Sequence, residues 1–174
     1  TMARLKGPKG SVAKLGIKRA GQKQLLTFSI TRGDVPIKTV DAAYMAAPGT
    51  GYIRVTSFGD TTYAEFIAAL TKLQTQGFSK LILDLRGNPG GYMETAVQMA
   101  NEFLAKNSLI VYTEGRKSPR KEYRTDGRGA YQNLPLVVLV DETSASASEI
   151  FAGAIQDNDR GTIIGRRSFG KGLV

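Results

Sequence analysis

Lys80-Leu81-Ile82-Leu83-Asp84-Leu85-Arg86-Gly87-Asn88-Pro89-Gly90-Gly91 is the stretch that decides the fold. Lys80 to Leu85 is a short run with an apolar centre, as expected of a buried strand. A glycine-rich turn follows, and Glu94 to Leu104 then carries Val97, Ala100, Phe103 and Leu104 on one side of a predicted helix. The same strand-turn-helix order extends in both directions. Upstream, Tyr52 to Ser57 predicts a strand, and Thr61 to Gln76 a helix with Phe66, Leu70 and Leu73 in register, closed by Gly77. Downstream come a strand at Leu109 to Thr113, a polar loop at Glu114 to Asn133 with six Lys/Arg, and a buried strand at Leu136 to Val140. A helix at Ser146 to Gln156 and a strand at Thr162 to Gly165 complete the order. Strands alternating with helices predict an α/β domain with helices packed on a largely parallel sheet.

The amino-terminal part reads differently. Val12 to Lys18 alternates loosely, Gly21-Gln22 signals a turn, and Leu25 to Thr31 is a second β-rich run. A hairpin of about 30 residues is too small to be stable alone, so it is expected to be an appendage of something larger. Residues 33–50, with Pro36 and Pro48, read as a linker into the core. Charge divides the chain at about the same place. Residues 1–38 hold nine Lys/Arg against Asp34 alone, whereas residues 39–174 hold fifteen against fourteen, within a net charge of +9 over 174 residues. The step suggests two units of different origin. A basic excess can mark a nucleic-acid partner. Here Lys14 and Lys18 fall at strand-like spacing with almost no interleaved aromatics, so a solvated strand face is expected and no nucleic-acid partner.

Composition narrows the chemistry. Hydrophobic residues make up 41%, enough to bury a core. The longest apolar runs, such as Pro135 to Val140, fall far short of the roughly 20 residues of a membrane helix, so no integral membrane segment is expected. Thr1 to Gly10 is polar and basic and does not read as a secretory signal. The chain has no cysteine and no histidine, which excludes disulfides, thiolate metal sites, a cysteine nucleophile and a Ser-His-Asp triad. Catalysis, if any, falls to Ser, Thr, Lys, Tyr or carboxylates.

Two loops carry the candidate chemistry. Arg86 to Gly91 follows a strand and precedes a helix, where ligands of α/β sheets bind, and its glycines leave N–H groups free to meet an anion. The same residues also suit a tight turn that needs positive φ. The spacing is not that of a dinucleotide fingerprint. The second loop, Asp141-Glu142-Thr143-Ser144-Ala145-Ser146-Ala147-Ser148-Glu149, holds the same position in the next unit. Ser146 to Glu149 fits a capping box ahead of Ile150-Phe151. It equally suits a nucleophile at a strand-turn-helix junction with the next N–H as oxyanion donor. A serine nucleophile needs a base, and a lysine serves if desolvation makes its amine neutral. Lys171 lies between glycines and beside apolar residues in Ser168-Phe169-Gly170-Lys171-Gly172-Leu173-Val174, unlike the lysines in polar surroundings. A Ser–Lys dyad is the nucleophile-base pair this composition makes easy.

Taken together, Gly51-Tyr52-Ile53-Arg54-Val55, the Leu83 to Gly91 loop, Ser144 to Asn158 and Arg167 to Gly172 resemble the carboxy-terminal processing (tail-specific) proteases, peptidase family S41, in order and spacing. Arg4 to Ser11 resembles the closing part of that family's PDZ domain. The resemblance implies an α/β core of the ClpP/crotonase-like kind over residues 51–174, preceded by a PDZ remnant over residues 1–32. It implies Ser146 as nucleophile and Lys171 as general base, with an oxyanion hole from the N–H groups of Ala147 and Gly91, Gly90 being the alternative. Ser144 and Ser148 become cap and packing residues, and Glu149 a cap. No metal or organic cofactor is implied. The implied substrates are proteins or peptides with exposed C-termini, the place the bacterial periplasm or cell envelope, and an oligomer is possible. The family pattern continues with a glutamine just past Val174 and further strands, so the core is expected to be C-terminally truncated, with Ser146 and Lys171 poorly aligned or out of hydrogen-bond reach.

Two other readings remain. Gly165-Arg166-Arg167-Ser168-Phe169-Gly170-Lys171-Gly172 nearly matches a nucleotide-binding P-loop but has Gly172 where the hydroxyl should stand. A peptide-binding scaffold of the same fold that does not cleave is the second.

Overall fold

The computed structural model describes residues 5–33 and 38–173. It forms two compact units, residues 1–37 and 38–174. In the first, β1 (Val12–Ile17) and β2 (Leu26–Thr31) pair antiparallel from Val12↔Thr31 to Ile17↔Leu26. Arg32 ties the ends of the hairpin, its side chain donating to the Leu5 carbonyl and to Ser11 Oγ, both at 2.8 Å.

The second unit is built on a five-stranded sheet. In chain order its elements are β3 (Val40–Ala47), β4 (Thr50–Val55), α1 (Thr62–Thr75), β5 (Lys80–Asp84) and α2 (Met93–Asn101). They continue with β6 (Leu109–Gly115), β7 (Ser118–Arg124), β8 (Leu136–Val140), α3 (Ala147–Asp157) and β9 (Thr162–Gly165). The sheet order is β3-β4-β5-β8-β9, with β3 antiparallel and the other four parallel. The parallel strands advance in one direction, and right-handed crossovers then bring α1, α2 and α3 to the same face. There Ile53, Val55, Leu81, Leu83, Leu136, Val138 and Val140 of the strands meet Phe66, Leu70, Met99 and Phe151 of the helices in one buried core. Phe103 sits at its centre, 6.1 Å from Phe66 and 6.0 Å edge-on from Phe151 between ring centroids, within the favourable aromatic range.

Two expectations are corrected. The segment 33–50 is not a linker throughout, because Val40–Ala47 forms the edge strand β3. Its alanines have low strand propensity and prolines flank it, which hides it in the sequence. Tertiary bonds make the strand. Gly49, at φ +69°, turns the chain into β4, and the Glu65 carboxylate accepts the N–H groups of Thr39 and Val40 at 2.8 and 2.9 Å. The unit boundary accordingly falls at Ile37/Lys38 rather than after residue 50, and residues 34–37 of the expected linker lie outside the described residues. Second, Glu114 to Asn133 is not all loop, since Ser118–Arg124 returns as β7 against β6. Its charges pair along the strand instead of simply solvating it. Glu122 bridges Arg120 and Arg124 at 3.0 and 2.8 Å, and Arg120 also stacks 3.7 Å from the Tyr112 ring centre.

Candidate active site

The four parallel strands end on one edge of the sheet, and the segments leaving them converge there, as expected for a ligand site in an α/β sheet. Val55 leads to Phe58, Asp84 to the glycine loop, Val140 to the serine loop, and Gly165 to the lysine segment.

The glycine loop is fixed from below. Asp84, buried, accepts Arg86 through its backbone N–H and its Nε at 2.9 Å and through Nη2 at 2.7 Å, and accepts Tyr52 Oη at 2.6 Å. Burial alone would raise the Asp84 pKa, but these donors hold it below the usual carboxylate value. Burial together with the Asp84 carboxylate pushes Tyr52 up to about 12, so its hydroxyl stays a donor.

Asn88 then joins the two loops. Its side chain donates to the Val55 carbonyl at 2.9 Å and accepts the Gly90 N–H at 2.8 Å, while its carbonyl accepts Ala145 N–H and Ser148 Oγ at 3.1 and 3.0 Å. Ser144 Oγ donates to the Leu85 carbonyl at 2.8 Å and accepts the Asp141 N–H at 2.9 Å. Both hydroxyls are therefore structural and buried. The glycine at position 90 is required by space and by φ. It stands at φ +98°, and a Cβ there would lie 2.6 Å from the Ala145 carbonyl and 2.8 Å from Ser146 Cβ. The glycine loop thus rests directly on the serine turn.

Ser146 caps α3 with φ 54° and ψ −113°, a conformation costly for a residue with a Cβ, at roughly 1–3 kcal/mol. A serine held in strain on a strand-to-helix turn is the geometry of a nucleophile elbow. Its side chain faces the Glu149 N–H and the Glu149 carboxylate accepts the Ser146 N–H, the reciprocal arrangement of a capping box, while the Glu149 N–H also donates to the Ser146 carbonyl at 2.9 Å. Beside it, the N–H groups of Ala147 and Gly91 have no hydrogen-bond partner among the described residues, whereas that of Gly90 is occupied by Asn88. A second strand-like link, Phe58 N–H to the Gly90 carbonyl at 2.9 Å and Tyr92 N–H to the Phe58 carbonyl at 2.7 Å, holds Gly91 in place.

Lys171 and Ser146 line the same cavity of about 590 Å³, with Met93 and Ile150 on its apolar side. No hydrogen bond joins the two side chains. What positions the lysine segment is Glu149. Its carboxylate accepts Ser146 N–H at 2.9 Å, Ser168 Oγ at 2.8 Å, Gly170 N–H at 2.6 Å and Lys171 N–H at 2.9 Å. Burial opposes ionisation of Glu149, and these four donors, Gly170 foremost, outweigh it and keep the pKa below the ordinary value. Sequence reasoning assigned Glu149 the cap alone. The further role depends on a long-range fold-back, for which an S-x-x-E pattern gives no signal. Asn88 was also missed, although an Asn after glycine in a tight loop suggests a side chain bonding its own backbone.

The P-loop reading is corrected by the same bonds. The N–H groups of Gly170 and Lys171 point at a carboxylate rather than into an anion site.

At this sheet edge a strained serine turn stands beside two N–H groups without partners among the described residues. The chain belongs to peptidase family S41, whose model matches residues 49–174. It is 42% identical over 99% of its length to a carboxyl-terminal-processing protease of Synechocystis, covering 40% of that protein. It is 35% identical over 98% of its length to the carboxy-terminal processing protease CtpB of Bacillus subtilis, covering 36% of it. Among solved structures, a photosystem II D1 C-terminal processing protease superposes with a TM-score of 0.70 at 35% identity, over 97% of this chain and 47% of that one. The chain thus spans about two fifths of the length of the curated relatives it matches.

Proposed function

We propose that the chain is the core of a serine endopeptidase that cleaves protein substrates near their C-termini through a Ser146–Lys171 dyad. The observation that carries this reading is Ser146 itself, strained at φ 54° between the free N–H groups of Ala147 and Gly91 and sharing a cavity with Lys171. In the proposed reaction the Lys171 amine takes the proton of Ser146 Oγ as the oxygen attacks the scissile carbonyl carbon. The Ala147 and Gly91 N–H groups hold the oxyanion that forms. The lysine ammonium then gives its proton to the leaving amine as the C–N bond breaks. An acyl-enzyme remains on Ser146, and water, deprotonated by the same amine, hydrolyses it. Ser146 and Lys171 close to hydrogen-bond distance on substrate binding, as catalytic pairs often do.

C-terminal substrates are supported by the names of the relatives. The family resemblance carries two further parts of the proposal, a PDZ remnant in residues 1–32 and a place in the bacterial periplasm or cell envelope.

The test uses the full-length protein with an unfolded protein substrate. Ser146→Ala abolishes cleavage without loss of fold, and a fluorophosphonate labels Ser146 in the wild type alone. Lys171→Arg is equally inactive, since a guanidinium keeps its proton in proteins. Cleavage at the wild-type rate by either variant removes that residue from the site. Retained peptide binding with no cleavage by the wild type would favour the non-cleaving scaffold.

A further inference from the structure

Sulfur is scarce in this chain, and one sulfur stands apart from the others. There is no cysteine, so the thioethers of four methionines are the only sulfur in these 174 residues. Met99 is fully buried in the core, and Met45 on β3 packs against that core. Met2 lies outside the described residues. Met93 differs from Met45 and Met99. It is half-buried, does not join the core, and lines the cavity of about 590 Å³ that holds Ser146 and Lys171.

The backbone fixes this placement. Met93 is the first residue of α2, and Tyr92 before it donates its N–H to the Phe58 carbonyl at 2.7 Å. The glycine loop thus delivers the Met93 side chain to the cavity wall, two residues after Gly91. The backbone there cannot shift away from the cavity without losing that bond.

A thioether is a weak acceptor, and with Ile150 it gives the cavity an apolar side. A sulfoxide is polar and chiral, and its oxygen is a hydrogen-bond acceptor. Donors stand around it. The N–H groups of Gly91 and Ala147 have no partner among the described residues, and Lys171 lines the same cavity. One added oxygen turns an apolar wall into a competitor for the groups the proposed reaction uses.

We infer that Met93 is a reversible oxidation site whose sulfoxide shuts the Ser146 site. The inference rests on the Ser146–Lys171 reading. The oxidant is a small peroxide, which the cavity readily admits. The sulfur lone pair attacks one peroxide oxygen, the O–O bond breaks as the S–O bond forms, and the other oxygen leaves as water with both protons. The sulfur loses two electrons and the peroxide gains them. Leucine would fill the same wall without this chemistry.

The test exposes the full-length protein to hydrogen peroxide. Peptide mass mapping reads each methionine, while fluorophosphonate labelling of Ser146 and cleavage of an unfolded protein read the site. Met93 gains oxygen at least ten-fold faster than Met45 and Met99. Labelling and cleavage fall at least ten-fold in step with it, and methionine sulfoxide reductase restores both. Met93→Leu, compared with its own untreated activity, loses no more than about two-fold under the same exposure. If that variant is inactive or does not fold, the wild-type readings decide. The inference is overturned by earlier oxidation of Met45 or Met99, by complete Met93 oxidation with labelling and cleavage unchanged, or by equal inactivation of Met93→Leu. Failure of the dyad reading would appear separately, as cleavage by the Ser146→Ala protein or as no label on Ser146 in the untreated wild type.

Discussion

Glu149 holds Lys171 by the backbone, its carboxylate accepting the Lys171 N–H at 2.9 Å while the same oxygen accepts the N–H of Ser146 at 2.9 Å. One carboxylate thus sets the distance between the proposed nucleophile and the proposed base, although it need touch no substrate. Glutamine in its place keeps the shape but turns one acceptor into a donor facing N–H groups. Glu149→Gln is expected to lower kcat at least ten-fold with little change in KM and an unchanged far-ultraviolet circular dichroism spectrum. An equal loss of kcat and of secondary structure would make Glu149 merely a stabilising cap.

The same carboxylate predicts a pH dependence. Its folded pKa lies below the ordinary Glu value of about 4.3, so its hold on the lysine segment is complete above that value and is lost as pH falls through the depressed one. Exchange protection of the Gly170 and Lys171 amides should therefore be constant from neutral pH to about 4.3 and decline only below it. A decline beginning near pH 6 would contradict the assignment.

Ser144 and Ser148 separate stability from catalysis. Ser144→Ala removes the donor to Leu85 and also leaves the Asp141 N–H without an acceptor, whereas Ser148→Ala leaves the Asn88 carbonyl still bonded to Ala145. Urea denaturation should show about 2–3 kcal/mol lost for Ser144→Ala and about 1 kcal/mol for Ser148→Ala. Both variants should still be labelled at Ser146 by a fluorophosphonate. The structure makes Ser144 the costlier position, where the sequence alone treats the two as equivalent cap and packing residues.

Legibility in the sequence followed the range of the interactions that make each element. The α/β order and both loops are written in local patterns, apolar runs for β5 and β8 and helical spacing for α1 to α3, and each lies within a few residues of its expected bounds. Strand β3 was invisible because Glu65, 25 residues away from Val40, supplies its bonding, and its own alanines argue against a strand. Strand β7 was masked because its Lys and Arg read as solvated until Tyr112 on β6 is seen under Arg120 and Glu122 is seen bridging Arg120 and Arg124 along the strand. Within the site, the positions of Ser146 and Lys171 follow from motif. The choice between Gly90 and Gly91 as donor does not, since only the three-dimensional bond from Gly90 to Asn88 distinguishes them.

Gly90 offers a steric test of the loop contact. Alanine there must adopt φ +98° and place a methyl 2.6 Å from the Ala145 carbonyl and 2.9 Å from the Ala147 nitrogen, closer than real contacts allow. Both atoms belong to backbone that the Ser146 turn cannot move without losing its position. Gly90→Ala should cost at least about 2 kcal/mol and slow fluorophosphonate labelling of Ser146 more than ten-fold at a temperature where the variant is still folded. Labelling at the wild-type rate would show that the two loops are not packed as described.

Asp141 gives the last prediction, one of sign. Its carboxylate accepts Thr143 Oγ1 at 2.6 Å and the N–H of Gly87 at 3.1 Å, joining the base of the serine loop to the glycine loop. The Thr143 hydroxyl foremost, and the N–H groups of Gly87 and Thr143 after it, bring its pKa down to about 2. For a carboxylate whose folded pKa is depressed, the stabilisation is present above the unfolded value, about 3.9, and is lost as pH falls toward the folded one. Asp141→Asn cannot titrate and retains only part of the bonding. The stability difference between wild type and Asp141→Asn, measured by urea denaturation, should be constant from pH 7 to about 5 and shrink steadily from about pH 4 toward 2. A difference that stays flat to pH 2.5, or grows as the solution is acidified, would mean that the carboxylate charge does not hold the two loops together.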